Sequence, residues 1–465
     1  MGIYPWLPHF LLLVEVVMIL AAIAHMLRHH RSPGSTIAWL LAFVLLPYVG
    51  VALYLLLGDR KLRRDRRRKP VTKFHASTEL PNEQAFYADR MFQNYGLPGA
   101  TCGNKMELVP DGVTAYQTLI RLIDDASTSI ILTTFIFARD EVAKTILQKL
   151  TARAASGVDV RILIDGLGSM KTPRRFFRAF ENAGGKLAVF KPVIQLPFSY
   201  PMNMRNHRKI AIFDGQKVFA GGMNITCEDI HPRRTDLSWE DLGFVVEGPV
   251  VSQYDSVCRA DWKFATGQDI DSKVSHQYWS SCDELIGNAV VQVLPAGPDV
   301  SSDPMYSGSL AAILRARKRL WIATPYFVPN DSLTEALVIA CKSDVDVRIL
   351  VPQKSNHRIS DIARSAFLRQ IQKAGGQIMF FTKGMIHAKA MIVDDNIAAI
   401  GSANFDMRSL FLNYEVMQLC YSAKEVQATA DWFEQRMQHC VTDLPKTSAW
   451  GELTEGLVRI VSPLF

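Results

Sequence analysis

Cysteine chemistry is the first thing missing from this 465-residue chain. Its seven cysteines, at 102, 227, 258, 282, 341, 420 and 440, never form C-x-x-C, and their number is odd. That excludes a zinc ribbon and a framework of paired disulfides, and buried thiols in a reducing compartment are the expectation. Net charge is missing next. The formal +7 is already reached within residues 1–69, and residues 70–465 sum to zero. A nucleic-acid binder spreads its basic residues over the folded domain, so no nucleic-acid partner is expected. A phosphate loop is also lacking: GLGSMKT, residues 166–172, has Met170 where the triphosphate motif needs glycine before the lysine.

Charge is absent altogether from residues 36–57, TIAWLLAFVLLPYVGVALYLLL, and residues 7–27, LPHFLLLVEVVMILAAIAHML, are apolar apart from His9, Glu15 and His25. Each run is close to the ~20 residues that cross a hydrocarbon core, which predicts a two-helix membrane hairpin over residues 1–58. The first nine residues carry no Lys or Arg and a second apolar run follows at once, which speaks against a cleaved signal peptide. DRKLRRDRRRK, residues 59–69, holds eight basic residues, whereas the turn between the runs has only Arg28 and Arg31. The positive-inside rule therefore predicts two spans with the bulk of the chain in the cytoplasm. The same basic run is suited to anionic lipid headgroups.

Past a juxtamembrane linker over 59–103, the chain is one unit written twice. ELVPDG at 107–112 returns as QVLPAG at 292–297, VDVRILIDG at 158–166 as VDVRILVPQ at 345–353, and NAGGKLAVF at 182–190 as KAGGQIMFF at 373–381. GGMN at 221–224 matches GSAN at 401–404, and ADW at 260–262 matches ADW at 430–432. Within each unit, apolar runs such as SIILTTFIF alternate with amphipathic helical patterns such as EVAKTILQKLTARAASG, which predicts α/β units with a largely parallel sheet. The expected domains are 104–285 and 286–465.

The repeated unit carries a repeated constellation. RNHRKIAIFDG at 205–215 places His207, Lys209 and Asp214 at the spacing that GMIHAKAMIVDDN at 384–396 gives to His387, Lys389 and Asp394. On a strand, His207 and Lys209 share one face, as do His387 and Lys389. Imidazole beside ammonium makes half of an oxyanion site. A pseudo-twofold would bring two such halves onto one phosphorus, one histidine attacking and the other protonating the leaving alkoxide, with the lysines neutralising the equatorial oxygens. No metal and no cofactor are then required. Asn224 and Asn404, after small residues, are candidates to bind the non-bridging oxygens. Asp241 and Glu415 are candidates to fix the histidine tautomers. Asp214 and Asp394 complete the catalytic candidates, although a structural salt bridge or turn role is the preferred reading for both.

The motifs HRKIAIFD and HAKAMIVD, with GGMN and GSANFDMRSLFLNYE, resemble the phospholipase D superfamily. The two apolar runs, the basic stretch and the C-terminal VSPLF narrow the likeness to membrane-anchored bacterial cardiolipin synthases. The resemblance covers essentially the whole chain. It implies an α/β fold of tandem duplicated phospholipase D-like domains with a pseudo-twofold shared active site, preceded by the two-helix transmembrane hairpin. It further implies two phosphatidylglycerol molecules joined into cardiolipin with release of glycerol, through a phosphohistidine on His207 with His387 as acid and base. Partners would be phosphatidylglycerol, other anionic phospholipids and the membrane of the bacterial cell. The alternative with the same catalytic residues is a phospholipase D releasing phosphatidic acid. The sequence departs from the pattern in its first half, with GGMN for the fuller GSAN and Asp241 for Glu415.

Overall fold

The computed structural model describes residues 7–27, 33–46, 48–51, 54, 80–192, 204–272, 286–298, 300, 302–442 and 444. The basic run 59–69 and the C-terminal VSPLF lie outside them. The chain divides into two compact units, one comprising residues 1–62 with 196–204, the other residues 63–195 with 205–465.

In the first unit, helix Leu7–Leu27 covers the first apolar run, and helix Pro33–Leu45 only the start of the second. The second helix stops two residues short of Pro47, as the steric demand of a proline ring on the preceding residues requires, and helical backbone resumes at 48–51. Among the described residues no helix is long and apolar enough to cross a membrane.

The second unit is built on one sheet of fifteen strands. The first repeat contributes β1 (Thr101–Val109), β2 (Ser129–Thr134), β3 (Asp159–Asp165), β4 (Lys186–Phe190), β5 (Ile210–Phe213), β6 (Lys217–Gly221) and β7 (Gly243–Glu247). The second contributes β8 (Ala289–Ala296), β9 (Arg319–Ala323), β11 (Asp346–Pro352), β12 (Gln377–Phe381), β13 (Ala390–Val393), β14 (Ile397–Gly401), β16 (Glu415–Cys420) and β17 (Cys440–Val441), with β10 (Phe327–Val328) and β15 (Phe405–Asp406) forming a small separate pair. The order is β17-β12-β11-β9-β13-β14-β16-β8-β1-β7-β6-β5-β2-β3-β4. Reading outward from the antiparallel β1–β8 seam, each half repeats the other, so the duplication in sequence is a pseudo-twofold in space.

A largely parallel sheet is not what forms. Parallel pairing within this sheet is confined to β2-β3-β4 and β9-β11-β12, the strands joined through helices. The rest is antiparallel, because the strands following the histidine motifs return through the tight turns at Asp214-Gly215 and Asp394-Asp395.

The local signals behave as written. Helix Glu141–Ala155 starts at Asp140, whose carboxylate accepts from the Ala143 N–H at 2.8 Å, and ends before Gly157 at φ +92°. β2 is buried along its whole length, as its SIILTT sequence demands of a strand covered on both faces. The expected linker 59–103 contains a helix, Glu83–Asn94, capped by Asn82 and packing Ala85 and Phe92 into the core of the second repeat. The expected domain boundary at 285/286 falls beside residues 273–285, outside the described ones.

Candidate active site

His207 and Lys209 do not lie within a strand. They occupy the extended lead-in to β5, and His387 and Lys389 the lead-in to β13. The reason is in their backbone partners. The His207 N–H donates to the Tyr414 carbonyl at 2.9 Å, and the His387 N–H to the Glu240 carbonyl at 2.6 Å. Each motif therefore pairs with the lead-in to a carboxylate of the opposite repeat, through the isolated bridges Asn206–Tyr414 and Glu240–Ile386.

That crossing decides which carboxylate serves which histidine. His207 Nδ1 lies 3.0 Å from Glu415 Oε2 and 3.0 Å from the Ser402 carbonyl oxygen. Both are acceptors, so Nδ1 carries the proton and Nε2 keeps its lone pair. His387 Nδ1 lies 2.7 Å from Asp241 Oδ2 and 3.0 Å from Asp229 Oδ1. Both rings are buried against an aromatic side chain, His207 at 4.9 Å from the Phe135 centroid and His387 at 4.9 Å from that of Trp239. Lys209 Nζ donates to the His207 carbonyl at 2.6 Å, and Lys389 Nζ to the His387 carbonyl.

Electrostatics separate the members. Burial pushes the His207 imidazole down to about 4, with the Glu415 carboxylate opposing that shift only in part. Burial likewise pushes Lys209 down to about 7 and lowers Lys389. For Glu415, burial acts to raise its carboxyl, but His207, Lys209 and the Ser402 hydroxyl outweigh it and hold the group ionised. Asp229 is held down at about 2: burial acts upward and is outweighed by His387, Lys389 and Asn224.

Sequence reasoning offered Asp241 and Glu415 but not their crossed assignment, and it missed Asp229. In the second repeat Ser409 stands where the first has Asp229, so a search by symmetry passes over it. It missed Arg208 for the same reason, its counterpart being Ala388. Arg208 donates to both oxygens of the buried Asp261 at 2.7 Å, to the Glu415 carbonyl at 3.0 Å and to the Ala296 carbonyl at 3.0 Å. It thus ties the first motif to the backbone of the residue that holds His207.

The departure between GGMN and GSAN finds its reason here. Ser402 Oγ donates to Glu415 Oε2 at 2.6 Å. At the matching position of the first repeat, a Cβ on Gly222 would collide with the Asp241 carboxylate. Glycine with aspartate and serine with glutamate are two packings of one contact.

Asn224 and Asn404 both line a cavity of about 570 Å³, together with His207, His387, Trp239 and Tyr326. Asn224 is engaged within the protein, accepting from the Ile136 N–H at 3.3 Å and donating to Asp229 at 3.1 Å. Asn404 Oδ1 is buried with no hydrogen-bond partner among the described residues. Asp214 and Asp394 are not brought to the histidines. Asp214, at φ +53°, accepts from the N–H groups of Ser127, Thr128 and Ser129 at 2.7–2.9 Å. Asp394, also at φ +53°, accepts from those of Arg317, Lys318 and Arg319 at 2.6–3.1 Å. Their partners are those of turn residues that pin the start of β2 and β9, not of catalytic groups. The amides of Leu167 and Gly168, in the segment resembling a phosphate loop, donate to the buried Asp165 carboxylate at 2.8 and 3.1 Å.

Asp229, Asp241 and His387 are of metal-ligating types and lie close together. His387 Nδ1 is hydrogen-bonded to Asp241 Oδ2, as an imidazole N–H donor, and lies 3.0 Å from Asp229 Oδ1, which has no hydrogen-bond partner among the described residues.

Comparison with known proteins accords with this geometry. The family described as "Cardiolipin synthase, PLD-like domain" matches residues 119–262 and 310–437, and the family described as "Phospholipase_D-nuclease N-terminal" matches residues 17–58. "Cardiolipin synthase 1" of Bacillus cereus is 32% identical over 94% of this chain and 90% of its own length. "Cardiolipin synthase" of Listeria innocua is 32% identical over the full length of both chains. "Major cardiolipin synthase ClsA" of Bacillus subtilis is 30% identical over 97% of each. Among solved structures, the phosphatidylserine synthase of Haemophilus influenzae matches with a TM-score of 0.63 at 16% identity, over 82% of this chain and 100% of that one, a likeness of fold.

Proposed function

Since the chain belongs to the family of cardiolipin synthases with phospholipase D-like domains, we propose that it transfers a phosphatidyl group between two phosphatidylglycerol molecules, giving cardiolipin and glycerol. The observation that carries this reading is the pair of buried histidines, one from each repeat, facing one cavity with a carboxylate from the opposite repeat on each Nδ1.

Neutral His207 has its Nε2 lone pair free to attack the phosphorus of the first lipid. As the P–N bond forms, the P–O bond to the glycerol headgroup breaks, and His387 Nε2–H gives its proton to the departing alkoxide. Two carboxylates at His387 offset the charge of the doubly protonated ring that this step requires. In the second step the terminal hydroxyl of another phosphatidylglycerol gives its proton to His387. Its oxygen then bonds to phosphorus, the P–N bond breaks, and His207 returns to its starting form. Lys209 and Lys389 supply the positive charge that meets the equatorial phosphoryl oxygens. One phosphodiester is exchanged for another, so the scheme needs no triphosphate. Burial of both rings favours an alcohol over water in the second step.

Membrane association is supported by the family match over residues 17–58. The finer arrangement, two spans with the catalytic unit in the cytoplasm, rests on the apolar runs and on the basic residues of 59–69. The same reading takes 104–285 and 286–465 as the two catalytic domains, sharing one site.

The test is purified protein with phosphatidylglycerol alone, the lipids resolved by mass spectrometry. Cardiolipin with stoichiometric glycerol, abolished by His207→Ala and by His387→Ala, is expected. Phosphatidic acid without cardiolipin would make water the acceptor and overturn the transferase reading.

A further inference from the structure

Between the second repeat and helix Glu83–Asn94 lies a partly open cavity of about 410 Å³ that the reaction scheme leaves unused. One wall is the sheet face carrying Leu294, Ala399, Met417 and Leu419, and the opposite wall is formed by helices Glu83–Asn94 and Pro304–Arg315.

Repeat symmetry shows how it is made. Asp214 grips the backbone of residues 127–129 and Asp394 that of 317–319, which aligns Leu119 and Leu122 with Ser309 and Ala312. The strand registers align Phe219 and Met223 with Ala399 and Ala403. In the first repeat Leu119, Leu122, Phe219 and Met223 are buried and fill the layer between sheet and helix. In the second, the four small counterparts all line the cavity. Four large side chains have given way to four small ones at one place. Such a space forfeits packing along its apolar walls, a loss that an apolar occupant recovers.

Two features identify the occupant. Met91, Met305, Met391 and Met417 line the cavity, and flexible thioethers repack around chains of varying shape. The cavity also neighbours the one lined by His207 and His387, with Asn404 as a wall common to both. Resting on the phospholipid reading above, we propose that this cavity holds one acyl chain of the lipid whose phosphate is brought to His207 and His387. The two repeats are then equivalent in their catalytic groups and unequal in lipid grip.

The test restores the side chains of the first repeat, with Ala399→Phe and Ala312→Leu made separately. Rates are measured on dioleoyl- and dihexanoyl-phosphatidylglycerol in one detergent, and phospholipid retained by the purified protein is measured by native mass spectrometry. Wild type is expected to prefer the long chains and to retain phospholipid. Each variant is expected to lose about tenfold or more in kcat/KM on the dioleoyl lipid, to keep its dihexanoyl rate, and to retain less phospholipid at an unchanged or higher Tm. Equal losses on both lipids, or no loss on either, would overturn the proposal. So would a wild type with no retained lipid and no chain-length preference, as expected if the protein's own chain fills the space. If neither lipid turns over, the transferase reading fails, and the retained-lipid comparison between wild type and variants still decides the cavity.

Discussion

Glu415 of the second repeat accepts the Nδ1–H of His207 of the first at 3.0 Å, and Asp241 of the first repeat serves His387 of the second at 2.7 Å. The active site is thus not two half-sites placed side by side. Each histidine is oriented by the other repeat, so neither repeat contains a complete histidine–carboxylate pair.

Glu415→Gln keeps an oxygen for the Nδ1–H but removes the charge. In the proposed mechanism the phosphorylated imidazole depends on that charge, so kcat is expected to fall about 10²–10⁴-fold with little change in KM. Asp241→Asn is expected to act in the same way through His387. Steady-state kinetics on phosphatidylglycerol check both, and a change confined to KM would refute the orienting role.

The pH profile follows from two buried groups. His207, at about 4, must be neutral to attack, so activity is lost as pH falls through that value. Lys209, at about 7, must be charged to meet the phosphoryl oxygens, so activity is lost as pH rises through it. A bell-shaped kcat/KM with limbs near these values is expected. In Lys209→Arg, whose guanidinium stays protonated, the residual activity should lose its alkaline limb. An unmoved limb would assign it to another group.

Asp214→Ala removes the acceptor of three backbone N–H groups and leaves a residue at φ +53° that alanine tolerates poorly. A loss of about 1–3 kcal/mol in denaturant unfolding is expected, with kcat on the folded protein nearly unchanged. Asp394→Ala should match it. A large fall in kcat without destabilisation would place these residues in the chemistry instead.

Gly222→Ala puts a Cβ where the Asp241 carboxylate lies, and is expected to reduce turnover by displacing that group from His387. The paired change Gly222→Ser with Asp241→Glu copies the Ser402–Glu415 contact and should recover more activity than either single change. Additive losses in that double-mutant cycle would refute the coupling.

The sequence by itself determined the duplication, the two His-x-Lys pairs and the candidate carboxylates. These are local matters: apolar periodicity, capping residues and repeated spacing are written along the chain. Tertiary structure alone decided the rest. Pairing across the pseudo-twofold chose which carboxylate reaches which histidine, and it drew both motifs out of their strands into bridges with the opposite repeat. Asp229 and Arg208 have no counterpart in the other repeat, so comparing the halves could not find them. Asp214 and Asp394 share the histidines' spacing along the chain, yet their tight turns carry them to the far end of the hairpin, where three backbone amides await each. The unequal cavity arises in the same way. A single small residue signals nothing in a sequence, and only the packing of Ser309, Ala312, Ala399 and Ala403 around one space turns four substitutions into a site.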